Sequence, residues 1–163
     1  MSKRTLVALL GLLPAAALTA QNAPPPGAPS HVMAHAKELK WGDPPPMMPP
    51  GMRSVLISGD PSKEGPYVIR AKMPAGYRIP AHWHPTDENV TVVSGTVGMG
   101  LGDTLDPAKG HSLSAGDFML VPAQAHHFLW SKTPSIIQVH GMGPFAMTYV
   151  NPSDDPRNAA KPK

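Results

Sequence analysis

The stretch that most constrains this chain is residues 76–95, Gly-Tyr-Arg-Ile-Pro-Ala-His-Trp-His-Pro-Thr-Asp-Glu-Asn-Val-Thr-Val-Val-Ser-Gly. His82 and His84 are two apart, and in a strand residues i and i+2 project from one face. Both imidazoles can therefore reach one point. Pro85, Thr86 and Asp87 have turn chemistry, and Glu88 opens the next apolar run, where its carboxylate can swing back toward the same point. Two imidazoles and a carboxylate suit a divalent transition metal. The stretch predicts a metal site on a β-scaffold.

A metal held from one hairpin needs a donor from elsewhere. Residues 116–128, Gly-Asp-Phe-Met-Leu-Val-Pro-Ala-Gln-Ala-His-His-Phe, supply one. Gly116 gives a turn, 118–121 a strand and 122–125 a second turn, and His126 and His127 start the next strand. Adjacent strand residues face opposite ways, so one of the two histidines enters the site. Alternation groups His126 with Phe128 and Trp130, and His127 with Leu129. Both faces are apolar, so periodicity leaves the choice open.

The surroundings fit an all-β domain. From Arg53 onward, short apolar runs alternate with Gly, Pro, Asp and Asn. Strands are predicted at 53–58, 67–72, 78–84, 89–100, 111–113, 117–121, 126–130, 135–140 and 145–150, with turns at Gly59-Asp60-Pro61, Pro74-Ala75-Gly76, Gly102-Asp103 and Ala115-Gly116-Asp117. Short strands at this spacing suggest a sandwich or barrel over 53–150, and 163 residues argue for one domain.

Residues 1–20 read as a secretory signal peptide: Lys3 and Arg4, an apolar run from Leu6 to Leu13, then small residues with cleavage expected after Ala20. The run is shorter than the roughly 20 residues of a spanning helix, so no membrane attachment is expected after cleavage. The absence of an Arg pair argues against a twin-arginine route. The expected location is the bacterial periplasm or the cell exterior. Without Lys3 and Arg4, 12 basic residues face 11 acidic ones, which gives no electrostatic case for nucleic acid or membrane partners. The chain has no cysteine, which excludes disulfides, thiolate ligands and a Cys nucleophile.

Many of the 22 prolines fall in two blocks within residues 21–52, which read as a linker and arm. Ser30 is placed to cap a short helix over 31–40; His31 and His35, spaced i, i+4, lack a third ligand nearby. Trp41 is expected to dock the arm on the domain. Met47, Met48 and Met52 could meet soft Cu(I), though such methionines more often fill gaps against a core. The tail, 151–163, is polar and Pro-containing.

Together the two stretches resemble the cupin superfamily. Gly76, His82, His84, Glu88 and Gly95 match the first cupin motif, Gly-x5-His-x-His-x3-Glu-x6-Gly, without departure in spacing. Gly116, Pro122 and His127 match the second, Gly-x5-Pro-x-Gly-x2-His-x3-Asn. Gln124 stands where Gly is usual and Ser131 where Asn is usual, so the motif does not fix the shape of that turn. Gly59-Asp60-Pro61 and residues 151–157 are also similar to a group of exported single-domain cupins, some likened to the cupin domain of anti-sigma factors of the ChrR type. The resemblance implies a jelly-roll β-barrel with a divalent metal inside, held by His82, His84, Glu88 and, as fourth ligand, His127.

Three imidazoles and a carboxylate would leave two positions open on octahedral Fe, Mn or Ni, while Zn would be nearly closed. Open positions suit a dioxygenase, or an isomerase in which the metal acts as a Lewis acid, working on a small polar molecule. The alternative is a non-catalytic protein that binds or senses a metal or small ligand. His140 shares a strand face with Gln138 and is the candidate general base if that face lines the cavity. Arg70 would meet a substrate carboxylate if it pointed inward. Asp87 is a candidate to orient an imidazole, and His111 is expected at the surface. Cupins often form homodimers, and the arm could cross to a second copy.

Overall fold

Apolar residues alternate with polar ones along 89–92 and 137–140, the period of a strand buried on one face. A computed structural model, which describes residues 31–158, carries this pattern into ten strands: β1 (Arg53–Ser58), β2 (Gly65–Met73), β3 (Arg78–Trp83), β4 (Glu88–Ser94), β5 (Thr96–Leu101), β6 (His111–Ser114), β7 (Phe118–Val121), β8 (His127–Ser131), β9 (Ser135–Gly143) and β10 (Thr148–Tyr149). They form two five-stranded antiparallel sheets, ordered β1-β2-β9-β4-β7 and β10-β3-β8-β5-β6. The chain passes from one sheet to the other after β2, β3, β4, β6, β7, β8 and β9, the winding of a jelly roll. The expected signal peptide, the linker up to residue 30 and the last five residues of the tail lie outside the described residues.

One predicted strand is two. The run 89–100 breaks at Gly95, where φ is +79° and the chain leaves the first sheet for the second. A side chain there would collide with the Pro134 carbonyl and with Ser135. The last glycine of the first motif thus marks a sheet crossing that apolar content alone does not reveal. The predicted strand 145–150 shortens to two residues, paired with Trp83 and His82.

The expected helix over 31–40 is not formed. That segment is extended apart from one turn, closed by the Glu38 N–H donating to the His35 carbonyl at 2.9 Å. It has no buried apolar stripe, and a ten-residue helix without packing is marginal. The arm docks a little further on. Gly42 bridges to Ser54, and Arg53 donates from Nε to the Gly42 carbonyl at 3.1 Å and from Nη2 to the Trp41 carbonyl at 2.9 Å. The Lys72 ammonium lies 5.9 Å from the centre of the Trp41 ring, within cation–π range. Residues 151–158 drape as two short 3-10 turns, with Arg157 holding Asp155. Among the described residues no helix is long and apolar enough to cross a membrane.

The core lies between the sheets, on inward positions such as Tyr67, Val90, Val92, Val97, Met99 and Ile137. Phe128 and Trp130 are also buried, yet they sit on the opposite face of β8 from Leu129. Their rings occupy space left by Gly98, Gly100 and Gly110, where side chains would collide with them. This is why both faces of 126–130 read as apolar.

Gly76, with φ +79° and open space around it, separates backbone strain from collision. Gly76→Ala is expected to cost about 1–2 kcal/mol of unfolding free energy, and Gly95→Ala distinctly more. Urea denaturation of both variants measures the difference.

Candidate metal centre

His82 and His84 come from β3 and the turn after it, Glu88 opens β4, and His127 opens β8. The Cα partner of His82 across the sheet is His127, so strand pairing itself brings the two motifs together. The ring centres lie 5.0 Å apart for His82 and His84, 4.1 Å for His82 and His127, and 5.2 Å for His84 and His127. Each of these histidines offers one ring nitrogen in a set lying within 4.8 Å of one another. All three rings are buried, with His127 at 1% exposure.

Each imidazole is oriented through Nδ1 by a main-chain carbonyl: Pro80 at 2.7 Å for His82, Ala146 at 2.7 Å for His84 and Ala125 at 3.0 Å for His127. A carbonyl only accepts, so Nδ1 carries the proton and the neutral ring presents its lone pair at Nε2. The Nε2 atoms of His84 and His127 are buried and hydrogen-bond to nothing. They approach Glu88, at 3.6 Å from His84 to Oε1 and 3.3 Å from His127 to Oε2. Asp87 touches no imidazole. Its Oδ1 accepts from the Ala123 N–H at 2.8 Å and ties the turn before His127 to the first motif.

Burial, with His127 and His84 beside it, pulls the His82 imidazole down to about 3. Burial lowers His84 too, against the pull of Glu88. Burial works to raise the Glu88 carboxyl, while the contact with His127 and the nearness of His84 and His82 work to lower it and leave it below its ordinary value. The lowered His82 and His84 rings are therefore neutral at neutral pH and face the Glu88 carboxylate. Among the described residues the carboxylate's only ion-pair contacts are His84 and His127. A buried anion facing lone pairs is unfavourable until a cation joins it. The three histidines could hold a metal ion, and the unpartnered Nε2 atoms fit that use.

The turn between β7 and β8 settles two points. His127 is buried in the site, while His126 is half-buried outside it, with Nδ1 at 2.6 Å from Asp103 Oδ1. Gln124 takes φ +63°, the left-handed conformation that a glycine adopts without strain, and its N–H donates to the His84 carbonyl at 2.8 Å. The turn keeps a shape that suits glycine although the glycine is gone. Ser131 is buried at the end of β8, and its hydroxyl donates to the Thr133 carbonyl.

The centre lies in a cavity of about 210 Å³ between the sheets. Its walls correct the reading of β9. Ile137 and Val139 line it, and Gln138 and His140 sit on the other face. His140 is thus not placed as a general base. Arg70 also faces away, with Nε on Gln138 Oε1 at 3.0 Å. The alternation of Ile137 and Val139 with Gln138 and His140 carried the signal, since a sheet's more apolar face turns inward. Met48 and Met52 of the arm also line the cavity, whereas His31, His35 and His111 are exposed. No sequence signal marked the Tyr77 and Tyr149 hydroxyls that hold the arm, donating to the Pro49 carbonyl at 2.7 Å and the Met47 carbonyl at 2.8 Å.

The family model of the Cupin domain matches residues 69–139, which contain all four of these residues. The chain carries a cupin domain. Solved cupin-fold structures superpose on it at low identity. The polyketide cyclase RemF from Streptomyces resistomycificus is 15% identical, with a TM-score of 0.65 over 78% of this chain and 90% of that one. An RmlC-like cupin from Shewanella frigidimarina is 17% identical, with a TM-score of 0.55 over 69% and 91%. A salicylate 1,2-dioxygenase from Pseudaminobacter salicylatoxidans is 14% identical, with a TM-score of 0.52 over 64% of this chain and 32% of that one. At such identities the likeness shows the fold alone. No curated protein matches the sequence.

Two outcomes follow from this geometry. Gln124→Gly relieves a left-handed non-glycine residue and is expected to stabilise the cupin by up to about 1 kcal/mol in urea denaturation. The metal-free protein should lose stability as pH falls. The imidazoles of His82 and His84 have pKa values below their ordinary 6.5 when folded. The unfolded chain therefore takes up protons first, and stability present above 6.5 drains as pH drops toward the folded value. Denaturation midpoints near pH 7 and pH 5 should differ, and His82→Leu should shrink the difference.

Proposed function

We propose that this chain is an exported metal-binding cupin that acts as a metal-dependent oxygenase or isomerase on a small molecule, with His82, His84, Glu88 and His127 as the ligands. The observation that carries this reading is the buried Glu88 carboxylate among three imidazoles whose lone pairs converge at the wall of a cavity. The ligand set favours Fe, Mn or Ni, with Zn as the alternative. When bound, such a metal supplies Lewis acidity and open positions for a chelating substrate.

The protein's own part can be read residue by residue. The carbonyls of Pro80, Ala146 and Ala125 fix the three tautomers, so the nitrogens face the centre without reorganising. Glu88 supplies the negative charge. Among the described residues the only polar side chain on the wall apart from these four is Ser54. The apolar wall keeps water from the reacting atoms. Export rests on residues 1–20, whose charged start, apolar run and small-residue end suit a cleaved leader.

The test is the metal content of the protein purified from the compartment it is exported to, beside His82→Ala/His127→Ala. Near-stoichiometric Fe, Mn or Ni is expected in the native protein, with at least about tenfold less in the variant. No metal in either folded sample would overturn the reading. In an oxygen-consumption or isomerisation assay, Glu88→Ala should lower turnover by about a hundredfold or more. Metal without turnover across small chelating substrates would leave a binding protein instead.

A further inference from the structure

The cavity wall says what kind of molecule the centre takes. Besides the four ligand residues and Ser54, every side chain on it is apolar; among the described residues it holds no lysine, arginine, asparagine or glutamine. Met99 and Met147 come from the barrel and Met48 and Met52 from the arm, joined by branched residues such as Ile137 and Val139. Thioether side chains shape themselves to flat or irregular apolar bodies. The arm's share of the wall is fixed by the hydroxyls of Tyr77 and Tyr149, which hold the carbonyls of Pro49 and Met47. The volume of about 210 Å³ lies below the roughly 300–1,000 Å³ of ordinary ligand pockets. It suits one small ring or a short branched chain.

Resting on the metal reading above, we infer that the ligand is a small molecule with a metal-binding head and an uncharged, apolar body. The head is the only part that meets polar groups. A carboxylate or sugar-like body would leave water for a wall whose one donor outside the ligand set, among the described residues, is the Ser54 hydroxyl. This narrows the polar substrate expected from the ligand set alone. Leu56 marks the mouth, since it lines the cavity from β1 and is 52% exposed.

A matched pair of probes with the same head tests this: 4-methylcatechol and 3,4-dihydroxybenzoate, titrated anaerobically into the Co(II)-loaded full chain. Binding is read from the visible Co(II) spectrum, and metal retention is checked by gel filtration. The methyl compound is expected to bind at least about thirtyfold more tightly. Leu56→Arg, at an exposed position, should narrow that ratio by about tenfold or more, and Tyr77→Phe/Tyr149→Phe should weaken the methyl compound while Co(II) stays bound. Equal affinities, or preference for the carboxylate, in wild-type protein that retains Co(II) would overturn the inference alone. Failure of the folded protein to retain Co(II) would overturn the metal centre and the inference with it.

Discussion

Three hydrogen bonds from imidazole Nδ1 to main-chain carbonyls organise the interior of this protein. Each one fixes which nitrogen carries the proton and where the other points. The carbonyl of Pro80 lies two residues before His82 and that of Ala125 two residues before His127. That of Ala146 belongs to the segment leading into β10. Local backbone and distant backbone therefore meet at one cluster. Burying a carboxylate and several polar nitrogens together is costly, and nothing else among the described residues neutralises Glu88.

Around that cluster the fold works as a clamp. β3 and β8 pair in one sheet while β4 lies in the other, so the four residues face each other only when the sandwich is closed. The turn before β8 grips the first motif twice, through the Gln124 N–H on the His84 carbonyl and the Ala123 N–H on Asp87. Gln124 in a left-handed conformation shows that this grip is strong enough to hold a residue where glycine would be unstrained. The turn's geometry comes from what it must touch, and its sequence follows only loosely.

The cupin fold is shared with proteins as different as a polyketide cyclase and a salicylate dioxygenase, so the scaffold by itself does not select a reaction. What distinguishes one such protein from another is the wall around the ligand set. Here that wall is rich in methionine and aliphatic residues, and part of it comes from the Pro-rich arm rather than from the barrel. An arm that reads in sequence as a spacer becomes part of the binding site because Trp41, Gly42 and Arg53 dock it and two tyrosine hydroxyls hold its carbonyls.

The sequence by itself singled out three of the candidate ligands and the β-architecture. His82, His84 and Glu88 are close in the chain, and a strand and a turn suffice to bring them together. Period-2 alternation and turn residues sufficed for most strands, β1 to the residue. Tertiary structure alone decided three other matters. It turned Ile137 and Val139 inward and His140 outward, because a sheet face is inner or outer only relative to the sheet stacked on it. It split the run 89–100 between two sheets, because the collision that requires Gly95 is with Pro134 and Ser135, about forty positions away in sequence. It also gave the physical ground for His127 over His126, which motif spacing implied and periodicity left open, since Phe128 and Trp130 bury their rings in spaces left by Gly98, Gly100 and Gly110 and so give the outer face of β8 the apolar character of a core. Chemistry that acts over a few residues can be read from a chain; burial is a relation between distant segments and exists only once they have packed.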